Sequence, residues 1–362
     1  MHSEASEALE VQERWISCHL YYHEDLDRVL RGFVHPVVVS LVEAARIEAF
    51  FFIRYGLGGP HVRLRLRALP GSRDHVQEEV QRFAQDFLDL TPSTKSLEEE
   101  VIRKTNEFIL GSDPHESDGS IYPDNSFRVM PFRPEIQRYG GRSRFQASLD
   151  FFTLSSVAAV EFLFRHGDRP RSAQLAYAFR LLLQQALGFA IDETELLDLL
   201  RYGVDSMGEI MPKIVEKGDK VARSQMKVFL KLFHQSLSAV SSLHAESEPF
   251  SGASDFLALG AGRLSEAART ADRATRAGIG GSQLHMTATR LGLSNAEEVY
   301  LSRLLTATLE EALVRDEADL SWIEEKVSGE ESAAAALSAL VPPALSALVV
   351  LPAPWREASP ST

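Results

Sequence analysis

The stretch AFFFIRYGLGGPHVRLRLRAL, Ala49 to Leu69, decides the fold of this 362-residue chain. AFFFIRY and HVRLRLRAL are extended runs, and the glycines of GLGGP between them mark a tight reversal, so the stretch reads as a β-hairpin. GLGG joins two strands with no helix after it, which excludes a phosphate-binding glycine loop. In an extended HVRLRLR, alternation puts His61, Arg63, Arg65 and Arg67 on one face and Val62, Leu64 and Leu66 on the other. Guanidinium groups spaced ~6–7 Å apart along one row suit a carboxylate or phosphate. The same pattern suits an edge strand kept charged against aggregation.

Working outward, WISCHLYY (Trp15–Tyr22) predicts a first strand. HEDLDRVLRGFVHPVVVSLVEAA predicts one short helix and, beyond Pro36, a second apolar element. SRDHVQEEVQRFAQDFLDL predicts an amphipathic helix with Ser72 as N-cap, and FRVMPFRPE a further strand. From Leu149 onward helical spacing dominates: LDFFTLSSVAAVEFLF, SAQLAYAFRLLLQQALGF, QMKVFLKLFHQSLSAVSSL, SDFLALGAGRLSEAARTADRA and NAEEVYLSRLLTATLEEAL. Among these, GIGGSQLHMTATRLGLSN is flanked by glycine and predicts a hinge or a site-forming turn. The expected fold is α+β: a mixed or antiparallel sheet with flanking helices, followed by a helical layer. The expected organisation is a disordered leader over 1–12, the sheet part over 13–148, the helical part over 149–327 and an Ala/Pro-rich tail over 328–362.

A formal charge of −13 disfavours bulk nucleic-acid binding. One cysteine, Cys18, allows no internal disulfide and no Cys-based zinc site, and the acidic N-terminus lacks a signal peptide's design. A cytoplasmic protein is expected. Ser332–Trp355 carries no charge over a length that could cross a bilayer, but Pro342 and Pro343 interrupt it, so no membrane span is expected.

Two further groups carry candidate chemistry. In FRPEIQRYGGRSRF, Glu135 and Arg138 stand three apart and would pair on a helical turn, fixing the arginine's direction; Arg142 and Arg144 follow. A local salt bridge beside a turn is the simpler account of the same residues. His285, in SQLHMTATRLG, offers an imidazole for acid–base work, although a histidine between Leu284 and Met286 also suits a core position. Arg290 lies five residues on, too far to share its helical face closely.

Taken in order, W-x-S-x-H-L-Y-Y at Trp15–Tyr22, FFIRY and GPHVRLRLR within Phe51–Arg67, PEIQRYGG at Pro134–Gly141 and SxxHM with RLG at Ser282–Gly292 resemble the lantibiotic dehydratase C-terminal family, also called the thiopeptide-type bacteriocin biosynthesis family. The resemblance spans most of residues 13–315 and implies action on a ribosomally made precursor peptide. The implied reaction expels glutamate, previously esterified to Ser or Thr, to leave dehydroalanine or dehydrobutyrine, without a cofactor or metal. It implies a separate glutamyl-tRNA-dependent protein that glutamylates the substrate, and no direct nucleic-acid contact. By position, Arg63 and Arg65 match the family arginines that hold the glutamyl adduct, Arg138 the arginine of the RYGG motif and His285 the histidine of the elimination site; the candidate catalytic residues are thus His285, Arg63 and Arg138, with Arg65, Arg67, Arg290 and Glu135 as candidate substrate-binding residues. β-Elimination needs loss of an α-proton, stabilisation of enolate-like charge and reception of a departing carboxylate, tasks that cations and one imidazole can share. A sister branch, the pyridine synthases, joins two dehydroalanines in a formal [4+2] cycloaddition; retention of the arginines and histidine favours elimination. A third reading is a non-catalytic module that binds the leader peptide along a sheet edge. The chain departs from the family pattern at Thr289, often Asn, and at Phe132, often an aromatic hydroxyl.

Overall fold

A computed structural model describes residues 14–112, 119–244, 252–325, 337–349 and 351. The expected leader over 1–12 and most of the expected tail lie outside the described residues. The chain divides into two compact units, residues 1–134 with 348–362, and residues 135–347.

The first unit is built on a four-stranded antiparallel sheet in the order β2-β3-β1-β4. Its strands are β1 (Trp15–Tyr21), β2 (Ile47–Tyr55), β3 (His61–Ala68) and the short β4 (Ser126–Val129). The hairpin forms as its sequence predicts. Gly58 and Gly59 adopt φ of +81° and +114°, and a Cβ on Gly58 would meet the Ser120 carbonyl oxygen at 2.7 Å, so glycine is required there twice over. The edge-strand account of the arginine row is overturned, because β3 lies between β2 and β1.

One sheet face is apolar. Ile16, Cys18, Leu20, Phe50, Phe52, Val62, Leu64 and Leu66 are all buried there. Phe33 packs its ring against Phe127, opposite Leu20, which places helical residues on this face. The covering helices are α1 (Leu26–Val29), a π turn (Leu30–Val34), α2 (His35–Glu43) and α3 (Arg73–Leu90). Pro36 does not interrupt the run from Leu26 to Glu43. The His35 N–H donates to the Leu30 carbonyl five residues back, and this wider turn takes in the proline that has no N–H to give. Ser72 precedes α3 without a side-chain cap. A further helix, α4 (Glu99–Ser112), has no counterpart in the elements read from the sequence.

The second unit is helical: a 3-10 turn (Gln137–Tyr139), α5 (Arg142–His166), α6 (Arg171–Phe189), α7 (Glu193–Met207), α8 (Pro212–His244), α9 (Ala253–Ala267), α10 (Arg273–Arg290), α11 (Asn295–Val314), α12 (Ser321–Glu325) and most of α13 (Val341–Val349). Its core holds Phe151, Leu154, Phe179, Leu183, Leu257, Leu264, Val299 and Leu309. The segment expected to be a hinge or turn is instead the continuous helix α10. Pro342 and Pro343 sit in the first turn of α13, where proline is tolerated, and Ser338 donates to Asp150 at 2.6 Å. Arg144–His166 is long and apolar enough to cross a membrane by length and composition, and its most apolar 18-residue stretch is 89% buried inside the protein.

Candidate functional site

In the first unit, the polar sheet face carries the arginine row. Register places Arg63 opposite His19 and Arg65 opposite Ser17 on β1, and opposite Ile53 and Phe51 on β2. Arg63 and Arg65 are 8% and 5% exposed, far from the solvated state of surface arginines. Each is held in a defined way. The His61 Nδ1–H donates to the Gly59 carbonyl at 2.8 Å, so its Nε2 is the acceptor for Arg63 Nε at 3.0 Å. The Arg63 guanidinium lies 3.8 Å from the centre of the Tyr55 ring. Burial, followed by the charge of Arg63, pushes His61 down to about 3, so this imidazole is neutral at pH 7. Arg65 lies over Phe132 at 5.3 Å and Phe51 at 5.8 Å. Arg67 is 3.1 Å from Glu48, so the far end of the row already has a carboxylate partner. Burial also raises the Cys18 thiol to about 12, leaving it inert on the apolar face.

In the second unit, the structure brings Arg138 and His285 onto one stretch. Arg138, in the 3-10 turn, donates from Nη1 to Glu135 at 2.8 Å and from Nε to Ser282 at 3.1 Å. Burial works against its charge, but Tyr139 and Glu135 outweigh that and hold its pKa above the ordinary value. Ser282 and His285 are one turn apart on α10, so both occupy the same side of that helix. His285 is half-exposed, and its Nδ1 lies 2.9 Å and 3.0 Å from the two carboxylate oxygens of Glu298 in the first turn of α11. Because a carboxylate only accepts, Nδ1 carries a proton in this contact.

The local sequence explains these positions. Asp272 caps α10 through Thr275 N–H at 2.8 Å. Arg276, on the same helix, forms a bidentate pair with Glu195 of α7 at 2.8 and 2.9 Å. The start of α11 carries a capping box between Ser294 and Glu297. Arg171 clasps Glu297 with two hydrogen bonds of 2.7 and 2.6 Å and pushes its carboxyl down to about 2, pinning the turn that presents Glu298. A small cavity of about 30 Å³ adjoins Glu298, lined among others by Tyr202, Leu284 and Ser302. A larger one, about 290 Å³, is lined by Gln81, Asp89, Asn125 and Phe127 and includes none of the candidate site residues.

Arg290 is placed differently. It is fully buried, 4.8 Å over the Phe152 ring on the inward side of α10, and burial lowers it to about 9 against an opposing influence from Tyr139. Among the described residues no three His, Cys, Asp or Glu side chains gather as metal ligands.

Reading the sequence alone missed Glu298, 13 residues beyond His285 and on another helix. It also missed His19, whose alternation with Cys18 and Leu20 in WISCHLYY was the available signal.

A sequence profile described as lantibiotic biosynthesis dehydratase C-term matches residues 15–309. The chain belongs to this family. Among solved structures, the pyridine synthase TbtD from thiomuracin biosynthesis is similar with a TM-score of 0.67 and 18% identity, over 84% of this chain and 100% of its own. The tRNA-dependent lantibiotic dehydratase MibB from Microbispora sp. 107891 is similar with a TM-score of 0.50 and 19% identity, over 84% of this chain and 29% of its own. These likenesses concern the fold of the dehydratase C-terminal family. No curated protein sequence matches the chain significantly.

Proposed function

We propose that this member of the family is an enzyme that eliminates glutamate from glutamylated Ser or Thr residues of a ribosomal precursor peptide, leaving dehydroalanine or dehydrobutyrine. The observation that carries the reading is the pairing of His285 with Glu298 one helical turn from the Arg138–Ser282 hydrogen bond. An imidazole whose Nδ1–H is held by a carboxylate is aimed as a base through Nε2, and a guanidinium held by two partners is a fixed positive charge. In the helical unit His285 takes the α-proton at Nε2, and Arg138 steadies the negative charge that develops. As the electron pair forms the new C=C bond, the Cβ–O bond breaks and the glutamyl ester departs as a carboxylate. In the sheet unit, the buried Arg63 and Arg65 suit an acidic group such as a glutamyl carboxylate. No step calls for a redox cofactor or a metal. The precursor peptide reaches this site already glutamylated in a glutamyl-tRNA-dependent step, in the cytoplasm.

The test is to incubate the purified chain with a peptide bearing a glutamyl ester on serine and follow its mass. Elimination releases glutamate and leaves a peptide one water lighter than the unmodified serine peptide. A dehydroalanine-containing peptide that is instead cyclised with loss of its leader would establish the pyridine-synthase reading. Tight leader binding with neither mass change would leave a binding module.

A further inference from the structure

Ser17 and His19 alternate with Ile16, Cys18 and Leu20, so they face the arginine row rather than the helix-covered side of the sheet. They are 2% and 7% exposed. Among the described residues, the Ser17 hydroxyl and both ring nitrogens of His19 have no hydrogen-bond partner. Buried polar atoms left this way cost stability, and natural cores rarely keep them without a use. The adjacent imidazole makes the contrast plain. His61 stacks on His19 with ring centres 5.1 Å apart, yet both its nitrogens are engaged, by Gly59 and by Arg63. Burial, then the charge of Arg65, keeps His19 neutral, so it offers one N–H donor and one acceptor instead of a further cation.

Two neutral donors opposite two buried guanidiniums match a molecule that carries a carboxylate and, next to it, a carbonyl oxygen. We propose that Ser17 and His19 complete a binding subsite for the glutamyl group, with Arg63 and Arg65 receiving its free carboxylate and the Ser17 O–H and His19 N–H donating to the carbonyl oxygen of its ester. This inference rests on the elimination reading and adds residues and a role to it. The ester carbonyl becomes part of the departing carboxylate, so these two hydrogen bonds strengthen as the C–O bond breaks. Ser17 and His19 thus favour the departed state over the ester.

The experiment uses the full chain, with L-glutamate as the calorimetric probe and the glutamyl-serine peptide as substrate. Ser17→Ala removes only the hydroxyl, and His19→Phe keeps a stacked ring without nitrogens. Each is expected to weaken glutamate binding roughly 5-fold or more, the worth of one lost hydrogen bond. Thermal midpoints should hold or rise, because each substitution deletes an unsatisfied buried group, and His19→Gln should recover part of the binding. Glutamate binding that is absent in the parent chain, or unchanged in both Ser17→Ala and His19→Phe, overturns the subsite. A lowered midpoint in Ser17→Ala with binding intact also overturns it, since the hydroxyl would then serve the fold. A chain that binds glutamate through Ser17 and His19 but eliminates nothing would sink the proposed reaction and leave the subsite standing. Elimination that ignores both substitutions would do the reverse.

Discussion

The Nδ1 of His285 on α10 sits 2.9 Å from a carboxylate oxygen of Glu298 on α11, with α10 tied to α7 by Arg276–Glu195 and the turn that bears Glu298 held to α6 by Arg171–Glu297. A carboxylate behind an imidazole fixes which nitrogen is basic and where it points. Glu298 is therefore expected to act on the reaction through His285 without touching substrate. Glu298→Ala should lower kcat about 10²-fold, within the range for loss of an orienting partner, with KM nearly unchanged. Glu298→Gln, which keeps an acceptor, should recover part of the rate. A KM effect as large as the kcat effect would remove the positioning role.

Arg138 donates to two partners through different nitrogens of one planar group. A lysine keeps the charge and loses the fork. Arg138→Lys is thus expected to lose most elimination activity, about 10²-fold, the scale for losing a preorganised charge-stabilising donor. Ser282→Ala, which leaves Glu135 to orient the arginine, should cost only a few-fold. Steady-state rates on the glutamylated peptide separate the two. Equal losses in Arg138→Lys and Ser282→Ala would mean that Ser282, not the guanidinium fork, carries the effect.

Two glycines three residues apart on α10 should respond in opposite directions. Gly278 has no atom within 4 Å of where a Cβ would stand, so Gly278→Ala should gain up to about 1 kcal/mol from helix propensity. A Cβ on Gly281 would lie 2.1 Å from Tyr202, an overlap expected to cost about 1–3 kcal/mol. Urea unfolding of both variants measures this directly. Stabilisation by Gly281→Ala would show that Tyr202 yields freely.

The same glycines show where the sequence was legible and where it was not. Period-two alternation in WISCHLYY and HVRLRLR was enough for β1, β3 and the polar face, because strand geometry is local. The interior position of β3 was invisible, since it depends on β1 pairing from over 40 residues upstream. Gly280 and Gly281 read as a hinge from local rules. In the fold they serve close packing, a Cβ on Gly280 coming within 2.5 Å of Leu199 and 2.9 Å of Phe189. Helix α4 escaped notice because its apolar residues do not form one buried stripe: Ile102 is buried, but Val101 and Phe108 are exposed. Ion pairs such as Arg103–Glu99 and Lys104–Glu100 line its surface. Of the site, residue types were readable, while partners such as Glu298 for His285 and His61 for Arg63 required the fold.

His61 ties the arginine row to acid sensitivity. Its pKa is pushed from 6.5 to about 3, chiefly by burial and then by Arg63, so below pH 6.5 the unfolded chain takes up a proton that the folded chain refuses. The folded state's advantage is complete above pH 6.5 and is lost as the pH falls toward 3, the direction set by a depressed folded-state pKa. His19 and His35 are shifted the same way by burial and add in the same sense. His61→Gln should flatten the decline of unfolding free energy between pH 6.5 and 5 by about 1.4 kcal/mol per pH unit, the linkage slope for one proton. It should also lower activity, because the acceptor that directs Arg63 Nε is displaced. Urea titrations of parent and variant across that window decide the matter, and parallel slopes would mean that His61 is protonated in the folded protein.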